Sequence, residues 1–363
     1  MAHDVEGRPR VFAAGEPCPS DTHTTSSPHR ARDEVVSHMT FASRRTLSVR
    51  AALSTVVVAL IAAFGLVTVG TGSANAWGPR PAPTFRSATI NGYGMPNPVI
   101  RTWASTTTNP AVAPTIIFLD GLRATNDVNG WEKETNVAFL SQRGYNVVMP
   151  VGGQSSFYAD WDNASPTAGQ TRPYRWNSVL TRSLPAYMDS LGFSHNRTLV
   201  GLSMAAAPAI MLTTTRPDLY TRAASISGFP HLTAPGMQTM LRAAAFDSGR
   251  FDLNNMWGIF PNLRAFQNDP LLNIGAMRGR HLWIYAAAGI WNGPPTNIAT
   301  FGTGLSGSAL EVVSQEQSQT FSLAARAAGA NVRTSFWPVG IHAWQFWQTE
   351  IGRMDRAGWF RNG

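Results

Sequence analysis

The sequence predicts an α/β fold, a mostly parallel central sheet with helices on both of its faces. Three observations carry that prediction. From residue 77 onward, short β-rich runs alternate with stretches of helical spacing, the order that builds a parallel sheet through helical crossovers. The β-rich runs are apolar almost without interruption, as strands buried on both faces must be. One of them, Arg197–Leu202, runs straight into a serine followed by small helix formers, Ser203-Met-Ala-Ala-Ala-Pro-Ala.

Taken in order, Thr115–Leu119 is the first clear strand, and Asn136–Arg143 follows as a helix candidate. Tyr145–Pro150 is a strand and Val179–Leu191 a helix. Arg197–Leu202 is the strand before the serine. Ala205–Thr215 is the helix behind it, with Pro208 in the first turn, where a proline is tolerated. Ala223–Ser227 and His281–Tyr285 are strands, Val312–Ala328 a helix, and Val332–Trp337 the last strand. No internal repeat or low-complexity tract follows Ala76.

The first 76 residues read as something other than fold. Residues 1–38 are polar, without apolar periodicity, and hold Cys18, the one cysteine. They are expected to be disordered or to precede the true start at Met39. Residues 39–76 have the layout of a signal peptide. Arg44, Arg45 and Arg50 lead into the uncharged run Ala51–Val69, and Ser73-Ala-Asn-Ala76 is spaced for cleavage before Trp77. The run is also long enough to span a bilayer, so a retained anchor is the alternative. Residues 77–363 then form one domain, long enough for a sizeable core.

That domain has no cysteine, which excludes a disulfide, a cysteine nucleophile and a thiolate metal site. No metal or cofactor is expected. The net charge of +8 is carried by arginine, with Lys133 the single lysine. The arginines are scattered, without the clustered stripe of a nucleic-acid binder, so nucleic acid is not expected as a partner. A solvated cationic surface suits an anionic cell envelope.

Gly201-Leu-Ser203-Met-Ala205 has the form of a nucleophile elbow, a sharp strand-to-helix turn that lifts a serine hydroxyl clear of the sheet. Small flanks are needed because the chain packs tightly there, and Gly201, Ala205 and Ala206 supply them. The helix start behind the serine offers a positive dipole end and free N–H donors for an oxyanion. An elbow implies an α/β-hydrolase fold, whose triad runs serine, acid, histidine along the chain. Downstream lie His231, His281 and His342. His281 opens a strand, and His231 follows too closely. His342 sits just past the last strand, in Val339-Gly-Ile-His-Ala-Trp344, where a loop can present it to the serine. Between the last two strands the acids are Glu311 and Glu316, and spacing alone leaves both open. Asp269 precedes the expected strand and reads as a turn or helix cap.

Several motifs together make the chain resemble the antigen 85 mycolyltransferases, secreted acyltransferases of mycolate-making actinobacteria. They are Leu119-Asp-Gly-Leu-Arg-Ala124, Asn129-Gly-Trp131, the run Val147–Tyr158 with Asp160-Trp161, Gly201–Ala205, Asn268-Asp-Pro-Leu-Leu-Asn273, and His342-Ala-Trp344 with Trp347. The resemblance covers nearly all of residues 77–363. It implies Ser203 as nucleophile and His342 as base. It implies Glu311 as the acid, because Leu310-Glu311 followed by Gln319-Thr-Phe321 matches the family's acid segment, and Glu316 is then a solvated helix residue. The implied oxyanion donors are the backbone N–H groups of Leu122 and Met204. Asp120, Arg123 and Trp344 are implied as trehalose contacts, with an ion pair between Asp120 and Arg123 as the alternative role for those two.

The chain departs from the family at Glu134, where an asparagine that contacts sugar is usual, in lacking the paired cysteines of some members, and in a shorter loop before His342. The resulting expectation is a secreted, monomeric, envelope-associated transferase. It would move a mycoloyl group from trehalose monomycolate, through an acyl-serine, to a second trehalose monomycolate or to cell-wall arabinan. An exported carboxylesterase and a non-catalytic envelope- or matrix-binding protein are the alternatives.

Overall fold

The computed structural model describes residues 84–291 and 298–361. The expected leader, with Cys18 and the Ala76–Trp77 cleavage site, lies outside the described residues. Among them, the sheet has eight strands: β1 (Phe85–Thr89), β2 (Val99–Trp103), β3 (Thr115–Leu119), β4 (Asn146–Pro150), β5 (Arg197–Leu202), β6 (Arg222–Ile226), β7 (His281–Ala287) and β8 (Asn331–Trp337). They lie in the order β1-β2-β4-β3-β5-β6-β7-β8. β1 pairs antiparallel with β2, and β2 with β4; every other neighbouring pair is parallel.

The helices that position the site are α1 (Gly130–Glu134), α2 (Leu184–Ser190), α3 (Ala206–Thr215), α4 (Met237–Gly249), α5 (Ile298–Ala327) and α6 (Trp344–Arg356). They divide between two cores, one on each face of the sheet. Ile117, Leu199, Leu282 and Ile284 pack with α2, α3, α4 and the end of α5, whereas Phe118, Val200, Trp283 and Tyr285 pack with Trp131 of α1 and with α6. Alternate strand residues thus feed opposite cores, and this is why the strands read as unbroken apolar runs.

The six strands β3 to β8 fall where their composition places them, within two residues at each end. β1 and β2 escape sequence reading because they form the antiparallel border, where Arg86, Ser87, Arg101 and Thr102 interrupt the apolar pattern. The expected helix Val179–Leu191 is a π-helical stretch, Val179–Ser183, running into α2, and Asn136–Arg143 is a 3-10 helix over Val137–Arg143. The expected helix Val312–Ala328 is the C-terminal half of α5, which begins at Ile298. Gly304 and Gly307 make the first half look like loop. They serve as close-packing points: a Cβ on Gly304 would lie 2.7 Å from the Trp291 ring, and Gly307 sits beneath Ile341 and His342.

The strand order reverses at β3. From β3 the chain passes to β4 by way of α1 on one face, and from the adjacent β5 to β6 by way of α3 on the other. A crevice opens where neighbouring strands send their connections to opposite faces, and ligands of open α/β sheets bind there.

Candidate active site

Two loops border that crevice, one leaving β3 and one leaving β5. Leu119 is in register with Gly201, so Gly121 and Ser203 come side by side two residues further on. A Cβ on Gly121 would lie 3.9 Å from that of Ser203. Ser203 has φ 52°, a strained value for a residue with a side chain. It opens a 3-10 turn, Ser203–Ala205, that passes directly into α3. The turn is feasible because its flanks are small. A Cβ on Gly201 would collide with the carbonyl of Ala205 and lie 2.8 Å from the Ala206 Cα. Gly228, beyond β6, is closed off in the same way by the Ala206 Cβ. Met204 lies in the first turn, where backbone N–H groups have no intrahelical acceptor. Its sulfur accepts from the Phe157 N–H at 3.3 Å, and the Leu122 carbonyl accepts from the Ser155 N–H at 3.0 Å.

One strand over, β6 ends in register with β5, Leu202 opposite Ile226, so Ser227 follows β6 as Ser203 follows β5. Ser227 also has positive φ, 47°. Its hydroxyl donates to Glu311 Oε1 at 2.7 Å and accepts from Trp347 Nε1–H at 2.9 Å. The Ala287 N–H at the end of β7 donates to the same carboxylate oxygen at 2.7 Å, and Oε2 meets His342 Nδ1 at 2.9 Å. Glu311 is fully buried, in the middle of α5. Sequence reading placed it between strands, ahead of a helix; the structure places it inside one. His342 is anchored by its N–H to the Gly307 carbonyl at 3.1 Å, and its ring meets the Trp347 indole edge-on at 5.0 Å. Glu311 and His342 are therefore joined. Among the described residues no hydrogen bond joins the Ser203 hydroxyl to the imidazole, and in unliganded sites such contacts are often open until substrate binds. Glu316 is exposed on α5. Asp269 is a buried turn residue, capping the N–H groups of Leu271 and Leu272 and gripping Thr233.

Ser227 was not singled out in the sequence. A serine after a β-run is common, and its link to Glu311 spans 84 positions.

The three expected sugar contacts are in different situations. Asp120 is buried after β3, and its two oxygens accept from the Gly121 N–H at 2.8 Å and the Gly130 N–H at 2.6 Å. Burial pushes its pKa up to about 6, the two backbone N–H bonds hold it down, and the charge of nearby Glu134 adds to the rise. Arg123 does not pair with Asp120; it forms an ion pair with Asp247 of α4. Trp344 opens α6, edge-on to Trp131 at 5.5 Å and to Trp347 at 4.9 Å. A Cβ on Gly130 would lie within 2.8 Å of both Trp344 and Asp120, so the start of α1 brings those two together. Glu134, the departure from the family, stands near Asp120 and is half-buried. No helix among the described residues is long and apolar enough to cross a membrane, and none of those residues form a metal-binding group.

Comparison with known proteins supplies the family. The Esterase family model matches residues 105–357. The chain is 33% identical over 246 residues to the diacylglycerol acyltransferase/mycolyltransferase Ag85C of Mycobacterium leprae, covering 66% of this chain and 72% of that protein. It is 35% identical over 252 residues to Ag85B of the same organism, covering 67% and 74%. It is 32% identical over 255 residues to Ag85A of Mycobacterium tuberculosis, covering 67% and 72%. In fold it is similar to the crystal structure of Mycobacterium tuberculosis MPT51 (FbpC1), with TM-score 0.63 at 22% identity, over 75% of this chain and 97% of that one. The Staphylococcus aureus serine hydrolase FphF has TM-score 0.57 at 14% identity, over 79% and 100%. With an elbow serine at the topological switch and a buried carboxylate on a histidine beside it, the chain belongs to the esterase family and, within it, to the antigen 85 mycolyltransferases.

Proposed function

We propose that the protein moves a mycoloyl group from trehalose monomycolate, through an ester on Ser203, to a second trehalose monomycolate or to cell-wall arabinan. The observation that carries this reading is the buried Glu311–His342 pair beside the strained Ser203 turn, in a chain of this family. Ser203 Oγ attacks the ester carbonyl as His342 Nε2 takes its proton. Glu311 holds the Nδ1–H tautomer and offsets the positive charge that forms on the ring. The Leu122 and Met204 N–H groups receive the oxyanion, and trehalose leaves with the proton from His342. A sugar hydroxyl then attacks the acyl-Ser203 carbonyl, losing its proton to His342, which passes it to Ser203 Oγ as the ester bond to the serine breaks. Transfer outruns hydrolysis when the acceptor is held in place, since effective molarities of roughly 10⁵ M exceed water at about 55 M. Asp120, Arg123 and Trp344 hold that acceptor: carboxylate and guanidinium bond to hydroxyls, and an indole offers an apolar face to a sugar ring.

The protein acts in the cell envelope, as a monomer exported behind the leader 39–76 and beginning at Trp77. Incubation of the purified protein with trehalose monomycolate, followed by identification of the lipid products, tests the reading. Trehalose dimycolate is the expected product. Free mycolic acid alone, with acceptor in excess, would make the protein a carboxylesterase, and no turnover with no acyl-Ser203 would leave a binding protein.

A further inference from the structure

At the opposite end of the sheet from Ser203, the parallel strands begin with a cluster of cations. Arg222 opens β6, His281 opens β7 in register with it, and Arg333 lies two residues into β8, opposite Trp283. Side chains at positions 222, 281 and 333 project from the same face, because successive strand residues alternate and these positions share one phase. Arg222 is the floor of the cluster, only 3% exposed, with its guanidinium 5.8 Å from the centre of the Trp359 ring. His281 and Arg333 are exposed and form its rim.

What sets Arg222 apart from the other buried arginine is its lack of a counter-ion among the described residues. Arg197 begins the neighbouring strand and is equally buried, but it has Asp189 as counter-ion. Arg101, Arg123, Arg143, Arg216 and Arg264 are each paired with a carboxylate. Among the described residues Arg222 has no such partner, and its buried Nε–H, like those of Arg197 and Arg280, makes no hydrogen bond. The charges that act on it and on His281 are cationic. Burial and then Arg333 pull the guanidinium pKa down, while burial, Arg222 and Arg280 do the same to the imidazole. A buried guanidinium without a counter-ion is unfavourable, and an anion bound from outside would compensate it.

We propose that Arg222, His281 and Arg333 form a binding site for a phosphoryl group. A guanidinium fork matches two phosphate oxygens at once, and three donors arriving from three strands suit a tetrahedral anion better than the two oxygens of a carboxylate. The site lies a strand's length from the elbow, about 15 Å. Occupancy there anchors the protein by one end and leaves the catalytic end free. The phosphoryl group belongs either to a soluble phosphate or to a lipid headgroup, and both present the same chemistry.

The test uses the intact protein with inorganic phosphate at constant ionic strength, balanced with sodium chloride. Wild-type Tm should rise with phosphate and saturate, as ligand linkage requires. Arg222→Met and Arg333→Ser should each weaken phosphate binding by about tenfold or more. In chloride alone Arg222→Met should melt no lower than the wild type, because an unpartnered buried charge has been exchanged for apolar volume. Arg333→Ser, at an exposed position, keeps the test open if Arg222→Met fails to fold. Hydrolysis of a small activated ester should be unchanged in both. A second arm sediments the protein with phosphatidylcholine vesicles with or without phosphatidic acid. Arginine-dependent binding to the phosphatidic acid vesicles assigns the site to a headgroup, and a response to free phosphate alone assigns it to a soluble ligand. A wild-type response no larger than that to chloride, or one that both variants retain, overturns the proposal.

Discussion

Glu311→Gln separates the electrostatic role of the buried acid from its packing. The carboxylate accepts two donors on Oε1, the Ser227 hydroxyl at 2.7 Å and the Ala287 N–H at 2.7 Å, and faces His342 through Oε2 at 2.9 Å. A glutamine amide keeps both Oε1 partners only by leaving its oxygen there, and its NH₂ is then forced towards His342 Nδ1. That nitrogen must become an acceptor, so the ring proton moves to Nε2, the atom that should take the proton from Ser203. The wrong tautomer and the lost negative charge together should lower kcat by roughly 10⁴-fold, about 5.5 kcal/mol of transition-state stabilisation. The fold should survive, since volume and two of the three hydrogen bonds are kept. The assay is steady-state hydrolysis of a p-nitrophenyl ester, with Tm recorded in parallel and Glu316→Gln, on the exposed face of α5, as the control. A loss under about tenfold in a folded Glu311→Gln protein, or an equal loss in Glu316→Gln, would refute the assignment of the acid.

Arg123→Ala should reduce transfer to trehalose more than ester hydrolysis; if Asp247→Ala, which frees the arginine from its ion pair, reduces both rates as Arg123→Ala does, the arginine merely props the oxyanion loop. Burial raises the Asp120 pKa from 3.8 to about 6, so the folded protein holds that proton more tightly than the unfolded chain does. Its contribution to stability is therefore greatest at pH 4 and below, and declines as pH rises through about 6. Relative to Asp120→Asn, the wild type should lose about 2 kcal/mol of unfolding free energy between pH 4 and pH 7 in urea melts, and parallel pH profiles would contradict the burial argument. N-terminal sequencing of exported material should begin Trp77-Gly-Pro-Arg, whereas recovery of a membrane-embedded chain still holding Ala51–Val69 would favour the anchor.

The parallel strands and the elbow were legible because their physics is local. β5 is apolar and β-rich over six residues, and the corner at Ser203 tolerates only small neighbours, so composition alone marks it. The candidate acid was harder. Order along the chain left Glu311 and Glu316 equal, and only family resemblance chose between them. In the structure the difference is burial, total for one and slight for the other, which follows from the phase of a helix whose first half is masked by packing glycines. Ser227 and the Arg123–Asp247 pair were beyond sequence reading, because each depends on partners 84 and 124 positions away. Arg222 does not stand out among the scattered arginines, because nothing in Thr221-Arg-Ala-Ala distinguishes an arginine at the mouth of a strand from one in solvent.

The edge-on contact between Trp347 and His342 gives the site its own optical probe. A protonated imidazole quenches indole emission far more strongly than a neutral one, and at 5.0 Å the two rings are close enough for that exchange. The fluorescence difference between the wild type and Trp347→Phe, followed against pH, therefore reports the charge on His342 in the resting protein. It does so without substrate or label, before any acyl group arrives.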